Sequence, residues 1–90
     1  VSSEPHHVHL DLLSFPTRRS SIYGFHRDFP HDHKVALFSL NTNNGGTEFR
    51  NGEFYNSVEN RLLMFDGAEE HRSVTQTDTN LRVNININYQ

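Results

Sequence analysis

A chain of 90 residues with a formal net charge of −3 and 33% hydrophobic residues holds at most one domain with a small core. The absence of cysteine excludes a disulfide framework, thiolate metal sites and Cys nucleophiles, and it fits a reducing compartment, so a cytoplasmic location is expected. The acidic balance gives no support to a general phosphate-binding surface, and no apolar run suits a membrane span or a signal-peptide core.

The first residue is Val1 rather than Met. The chain therefore reads as a single catalytic core over residues 1–90, truncated at its N-terminus. Val8 to Phe15 is a short apolar run that ends at Pro16, which suits an edge strand. Ser20 to Asp28 reads as a second strand, followed by the turn-like Phe29-Pro30-His31-Asp32. Lys34 to Asn41, built on Val35, Ala36, Leu37, Phe38 and Leu40, is a strong strand. After the polar loop Asn41 to Gly46, the runs Thr47 to Phe49 and Glu53 to Tyr55 flank Asn51-Gly52, the signature of a type I′ hairpin. Arg61 to Phe65 is a strand closed by Asp66-Gly67, and His71 to Thr77 is another. Arg82 to Tyr89 alternates strictly, with Arg82, Asn84, Asn86 and Asn88 on one face and Val83, Ile85, Ile87 and Tyr89 on the other. Seven or eight short strands and no helix predict an all-β sandwich or small barrel.

Seven histidines in 90 residues are the compositional excess, and histidine is the commonest metal ligand. In a strand, His26 and Asp28 face the same side, roughly 6–7 Å apart along the chain. His71 is the best third ligand. Two histidines and a carboxylate on one face of a metal leave positions open, the arrangement of non-haem iron(II) oxygenases. His-x-Asp alone is equally a strand-end histidine beside a solvated aspartate. Arg82 adds weight, because its rigid fork of donors suits a carboxylate; a salt bridge to Glu69 or Glu70 is the plain alternative.

From about Leu10 to Tyr89 the sequence resembles the catalytic core of the Fe(II)/2-oxoglutarate dioxygenase superfamily, close to its prolyl 4-hydroxylase-like branch. The resemblance rests on His26-Arg27-Asp28, Ala36-Leu37-Phe38-Ser39-Leu40-Asn41, Gly45-Gly46-Thr47-Glu48-Phe49, Asn60-Arg61-Leu62-Leu63-Met64-Phe65, His71 and Arg82-Val83-Asn84-Ile85, in the family's order. It implies a double-stranded β-helix, a jelly-roll or cupin-like barrel. It implies that His26, Asp28 and His71 bind Fe(II) and that Arg82 binds the C5 carboxylate of the co-substrate 2-oxoglutarate. Dioxygen is the second co-substrate and ascorbate a possible reductant. The reaction implied couples decarboxylation of 2-oxoglutarate to succinate with hydroxylation of a prolyl or other peptidyl side chain, a free amino acid or another small molecule.

The chain departs from this pattern at Ser39, where relatives often carry a tyrosine that helps hold 2-oxoglutarate. That contact is then lost, made through water, or supplied by Tyr23 or Asn84; Asn41 is a further candidate for reaching the co-substrate. Full-length members also carry helices that buttress one sheet, and none is seen here. With Arg82 facing inward, the stripe Val83, Ile85, Ile87 and Tyr89 faces outward. Leaving four such side chains bare forgoes on the order of 6–12 kcal/mol, so a missing segment or a partner is expected to cover them. His6, His7 and His9 are read as decoys, and His31 and His33 as either solvent-exposed or lining a substrate entrance. Arg27 is read as a surface or substrate-side charge. The alternatives are a non-catalytic jelly-roll module that binds a metal or ligand, and a cupin-like iron enzyme that does without 2-oxoglutarate.

Overall fold

The structure is a computed structural model that describes residues 8–16 and 24–90. Seven strands appear among these residues, and no helix: β1 (Val8–Pro16), β2 (Lys34–Ser39), β3 (Gly46–Phe49), β4 (Phe54–Asn56), β5 (Leu62–Asp66), β6 (His71–Val74) and β7 (Leu81–Tyr89). They form two antiparallel sheets, one in the order β1-β7-β2-β5 and the other β4-β3-β6. The sheets are not closed into a barrel. Of the strand expected over Ser20 to Asp28, residues 20–23, including Tyr23, lie outside the described residues. Its remainder contributes one antiparallel bridge, His26 to His71, at the free edge of β6. No helix among the described residues is long and apolar enough to cross a membrane.

The hairpin between β3 and β4 forms where Asn51-Gly52 predicts it, but not with a type I′ turn. Gly52 N–H donates to the Phe49 carbonyl at 2.9 Å and Phe49 N–H to the Glu53 carbonyl at 2.8 Å. Only Gly52 in this loop has positive φ, at 96°. This is a three-residue loop, a type I turn followed by one left-handed residue. A two-residue loop would need Asn51 left-handed as well.

The two sheets meet around β2 and Phe49. Among the described residues, Val35, Ala36, Leu37 and Phe49 are the buried apolar ones, and Phe49 packs edge-on against Phe65 of the facing sheet at 4.8 Å. Against these four stand ten buried polar side chains among the described residues, including His71, Gln76, Arg82, Asn84 and Asn88. The interior is therefore lined for polar chemistry more than for packing. The source is β7, whose Arg82, Asn84 and Asn88 are buried while Leu81 is exposed. Its odd-numbered residues face outward. Register aligns Leu10, Ile87, Ala36 and Met64 in one row across the sheet, and Leu12, Ile85, Phe38 and Leu62 in the next. Leu10, Leu12, Leu62 and Met64 are exposed, whereas Phe38, Ile85 and Ile87 are half-buried and Ala36 is buried, so this outer face is apolar and bare along its edge strands β1 and β5.

Candidate metal centre

His71 opens β6, where it pairs with Phe49 of β3 on one side and with His26 on the other. The His26–His71 pair exchanges both backbone hydrogen bonds, His26 N–H to the His71 carbonyl at 2.9 Å and His71 N–H to the His26 carbonyl at 3.0 Å. This locks the two histidines side by side, with ring centroids 4.6 Å apart. Asp28, two residues after His26, points the same way. Its Oδ1 lies 3.2 Å from His26 Nε2 and 3.3 Å from His71 Nε2. The three ligand atoms fall within 4.8 Å of one another. His71 and Asp28 are largely buried and His26 is half exposed, so the cluster is open on the His26 side.

The hydrogen bonds of the second ring nitrogens decide what this cluster can hold. His71 Nδ1 lies 3.0 Å from the Glu69 carbonyl oxygen, and His26 Nδ1 3.2 Å from that of Gly24. A carbonyl oxygen can only accept, so each Nδ1 is the donor. In the neutral tautomer each Nε2 then turns a lone pair toward Asp28 Oδ1, itself an acceptor. Lone pairs facing one another at this range require a cation between them, either a proton or a metal ion. Backbone carbonyls that fix the tautomer in this way are the usual outer support of metal-bound histidine. Asp28 is oriented too: Asn86 Nδ2 donates to Oδ2 at 3.1 Å and leaves Oδ1 for the histidines. The residues present thus fit a divalent transition metal, with two imidazoles and one carboxylate as donors.

Electrostatics follow the same geometry. The hydrogen bond with His71 holds the Asp28 carboxyl well below the usual carboxylate range; burial opposes this and Asn86 assists it. Burial pushes His71 down, but the hydrogen bonds to Asp28 and to the Glu69 carbonyl outweigh it and leave the imidazole raised above its ordinary 6.5.

Arg82 enters the protein from the same face of β7 as Asn86. It is buried, its guanidinium stacks over the Phe15 ring at 4.2 Å, and with Ser39 and Asn84 it lines a crevice between the sheets. The crevice is narrow, about 10 Å³, room for roughly one water. Glu70, a candidate partner for Arg82 in the sequence, is taken by Arg50 at 2.5 Å. Asn41 is not at the crevice. Its Nδ2 donates to the Leu81 carbonyl at 2.7 Å and its Oδ1 accepts from Val83 N–H at 2.9 Å, so it braces the start of β7. Arg27 and His31 are exposed, as expected of surface positions, whereas His33 is buried. Asn86 escaped the sequence reading, although its place on the Arg82 face was the signal that could have found it. Searches among models of protein families, curated proteins and solved structures returned no match.

Proposed function

We propose that this chain is an Fe(II)- and 2-oxoglutarate-dependent oxygenase, with His26, Asp28 and His71 as iron ligands and Arg82 as the anchor of the co-substrate's far carboxylate. One observation carries the reading: both imidazoles are locked by backbone carbonyls with Nε2 toward one carboxylate oxygen. Bound iron supplies the dioxygen chemistry that couples decarboxylation of 2-oxoglutarate to hydroxylation of a C–H bond. The chain's residues do the placing. Asn86 orients Asp28, and Arg82, four residues earlier on the same face, lies roughly 13 Å along the strand. An extended arginine side chain and a five-carbon dicarboxylate together fill that span. Arg82 meets the carboxylate with charge-assisted hydrogen bonds, and Asn84, whose buried Oδ1 has no hydrogen-bond partner, offers a further polar contact. Admission of the co-substrate must widen the crevice, whose exposed wall residues include Tyr55, hydrogen-bonded to Glu53, and Arg61, hydrogen-bonded to the Asn56 carbonyl.

The strand connections support a jelly-roll, double-stranded β-helix core. The chain passes from β1 in the first sheet to His26 at the edge of the second. It returns to β2, crosses to β3 and β4, returns to β5, crosses to β6 and ends on β7. Such crossing between two antiparallel sheets is the jelly-roll way of winding. A prolyl or other peptidyl side chain or a free amino acid is the proposed substrate, and the cytoplasm the proposed location.

Incubation with Fe(II), 2-oxoglutarate and ascorbate should release succinate above the rate of His26→Ala. Equal rates would overturn the oxygenase reading. The second reading, a metal-binding module without catalysis, draws on Ser39 and the narrow crevice. It predicts metal binding that needs His26 and His71, with no succinate and no saturable binding of 2-oxoglutarate.

A further inference from the structure

The segment that carries His26 and Asp28 belongs to none of the seven strands, and its backbone joins the second sheet at one pair, His26 with His71. Two backbone hydrogen bonds at a sheet edge open readily on their own. Both ligands on this segment nevertheless depend on staying beside His71. The residue before His26 supplies a second fastening.

Side chains alternate along an extended chain. His26 and Asp28 turn toward the cluster, so Phe25 turns to the outer face of the second sheet. Antiparallel register about His26 and His71 sets Phe25 opposite Arg72, and the Arg72 guanidinium lies over the Phe25 ring at 4.1 Å. The Arg50 guanidinium lies over the same ring at 4.9 Å. Each arginine is itself held. Arg72 Nε donates to Glu48 Oε1 at 2.6 Å, and Arg50 Nε donates to Glu70 Oε2 at 2.5 Å. Strand pairing explains both partners. Glu48 faces Arg72 across β3 and β6, and just beyond that pair Arg50 N–H donates to the Glu70 carbonyl at 3.1 Å. The two carboxylates offset the repulsion between two guanidiniums gathered on one ring. Phe25 is half-buried in this setting.

We propose that Phe25 is a positioning residue: gripped by the guanidiniums of Arg72 and Arg50, its ring fastens the His26–Asp28 segment to the edge of β6 and keeps two candidate ligands beside the third. The inference deepens the metal-centre reading and rests on it for what His26 and Asp28 then bind. One partly exposed guanidinium over an aromatic face shifts an equilibrium about two- to fivefold, so two together should shift it about five- to twentyfold.

Hydrogen exchange of the metal-free whole chain and Co(II) calorimetry test it together. Phe25→Ala should speed exchange of the His26 and His71 amides about five- to twentyfold while the amides of β2 keep their rates; a general loss of stability would move both sets alike. Phe25→Tyr keeps the ring face and should match the wild type. Phe25→Leu keeps apolar bulk without a ring face and should behave like Phe25→Ala. Co(II) affinity should follow the same order, about fivefold or more weaker for the Ala and Leu variants and within about twofold of wild type for Phe25→Tyr. Exchange at His26 unmoved by Phe25→Ala, Phe25→Leu as well protected as Phe25→Tyr, or Co(II) affinity unmoved in a variant whose exchange has risen would each overturn the proposal. Wild-type Co(II) binding no tighter than that of His26→Ala would instead defeat the metal-centre reading, and the exchange comparison would still decide whether Phe25 holds the segment.

Discussion

At the scale of single residues, the candidate centre is held by hydrogen bonds that lie outside the His26, Asp28 and His71 cluster itself. Asn86 fixes which oxygen of Asp28 faces the histidines, and outer supports of this kind typically contribute 10–100-fold in metal affinity. Asn86→Ala should therefore weaken Co(II) or Mn(II) binding by about tenfold in a calorimetric titration, while Asp28→Ala abolishes it. Arg82→Ala should weaken 2-oxoglutarate and leave metal affinity within about twofold; the same titration, run with each ligand, separates the two roles. The pH dependence has a definite sign. Asp28's lowered pKa contributes stability that is present above its unfolded value, near 3.8, and lost as pH falls through the folded value. His71's raised pKa contributes stability that is full below 6.5 and lost as pH rises through the folded value. The metal-free chain should thus gain most from this pair between about pH 4 and 6.5. Metal binding needs neutral His71 and strengthens as pH climbs out of that window. Thermal melts with and without Mn(II) from pH 4.5 to 8 should show the metal-induced rise in Tm growing with pH.

At the scale of elements, periodicity was the legible part. The alternation Arg82-Val83-Asn84-Ile85 announced β7 and its two faces, and Val35 to Leu40 announced β2. His26, Asp28 and His71 were legible as residue types, but their meeting depends on the backbone pair between His26 and His71, a long-range contact that no local pattern records. His33 shows the same limit. In the sequence it is one of two histidines after a turn, and its burial comes from the ring packing on Gly67, far along the chain. Asn41 reads as a loop residue and proves to be a brace because the start of β7 happens to lie opposite it. The β3–β4 turn was placed correctly and typed wrongly, since Asn-Gly serves more than one loop length. Gly52 sits at φ 96° in open space, so backbone strain alone sets the effect of replacing it. Gly52→Val should cost about 1–2 kcal/mol in urea denaturation and Gly52→Asn distinctly less.

At the scale of the whole molecule, polar atoms fill the space between the sheets and the rows of Leu10, Leu12, Ile85, Ile87, Leu62 and Met64 face outward. An exposed apolar face of this extent marks an interaction surface or an association hazard. Leu12→Gln with Met64→Gln should shift the isolated chain's stability by no more than about 1 kcal/mol and reduce its self-association in sedimentation. A much larger loss would show that the face is already covered. A segment or partner seated on the rows should raise Tm. The inverted arrangement of β7 also bears on how the chain reaches its fold. Sliding the strand by one residue would turn Val83, Ile85, Ile87 and Tyr89 inward and push Arg82 and the asparagines into water. By hydrophobicity alone that misalignment is the better strand, so the native pairing competes with a decoy written into the same nine residues. Asn41 grips two backbone atoms of the strand at its first turn of pleat and acts as the peg that decides between them. Early in folding, before that grip forms, the chain is most exposed to trapping and aggregation, and the arginine and amide groups that β7 turns inward are the cause.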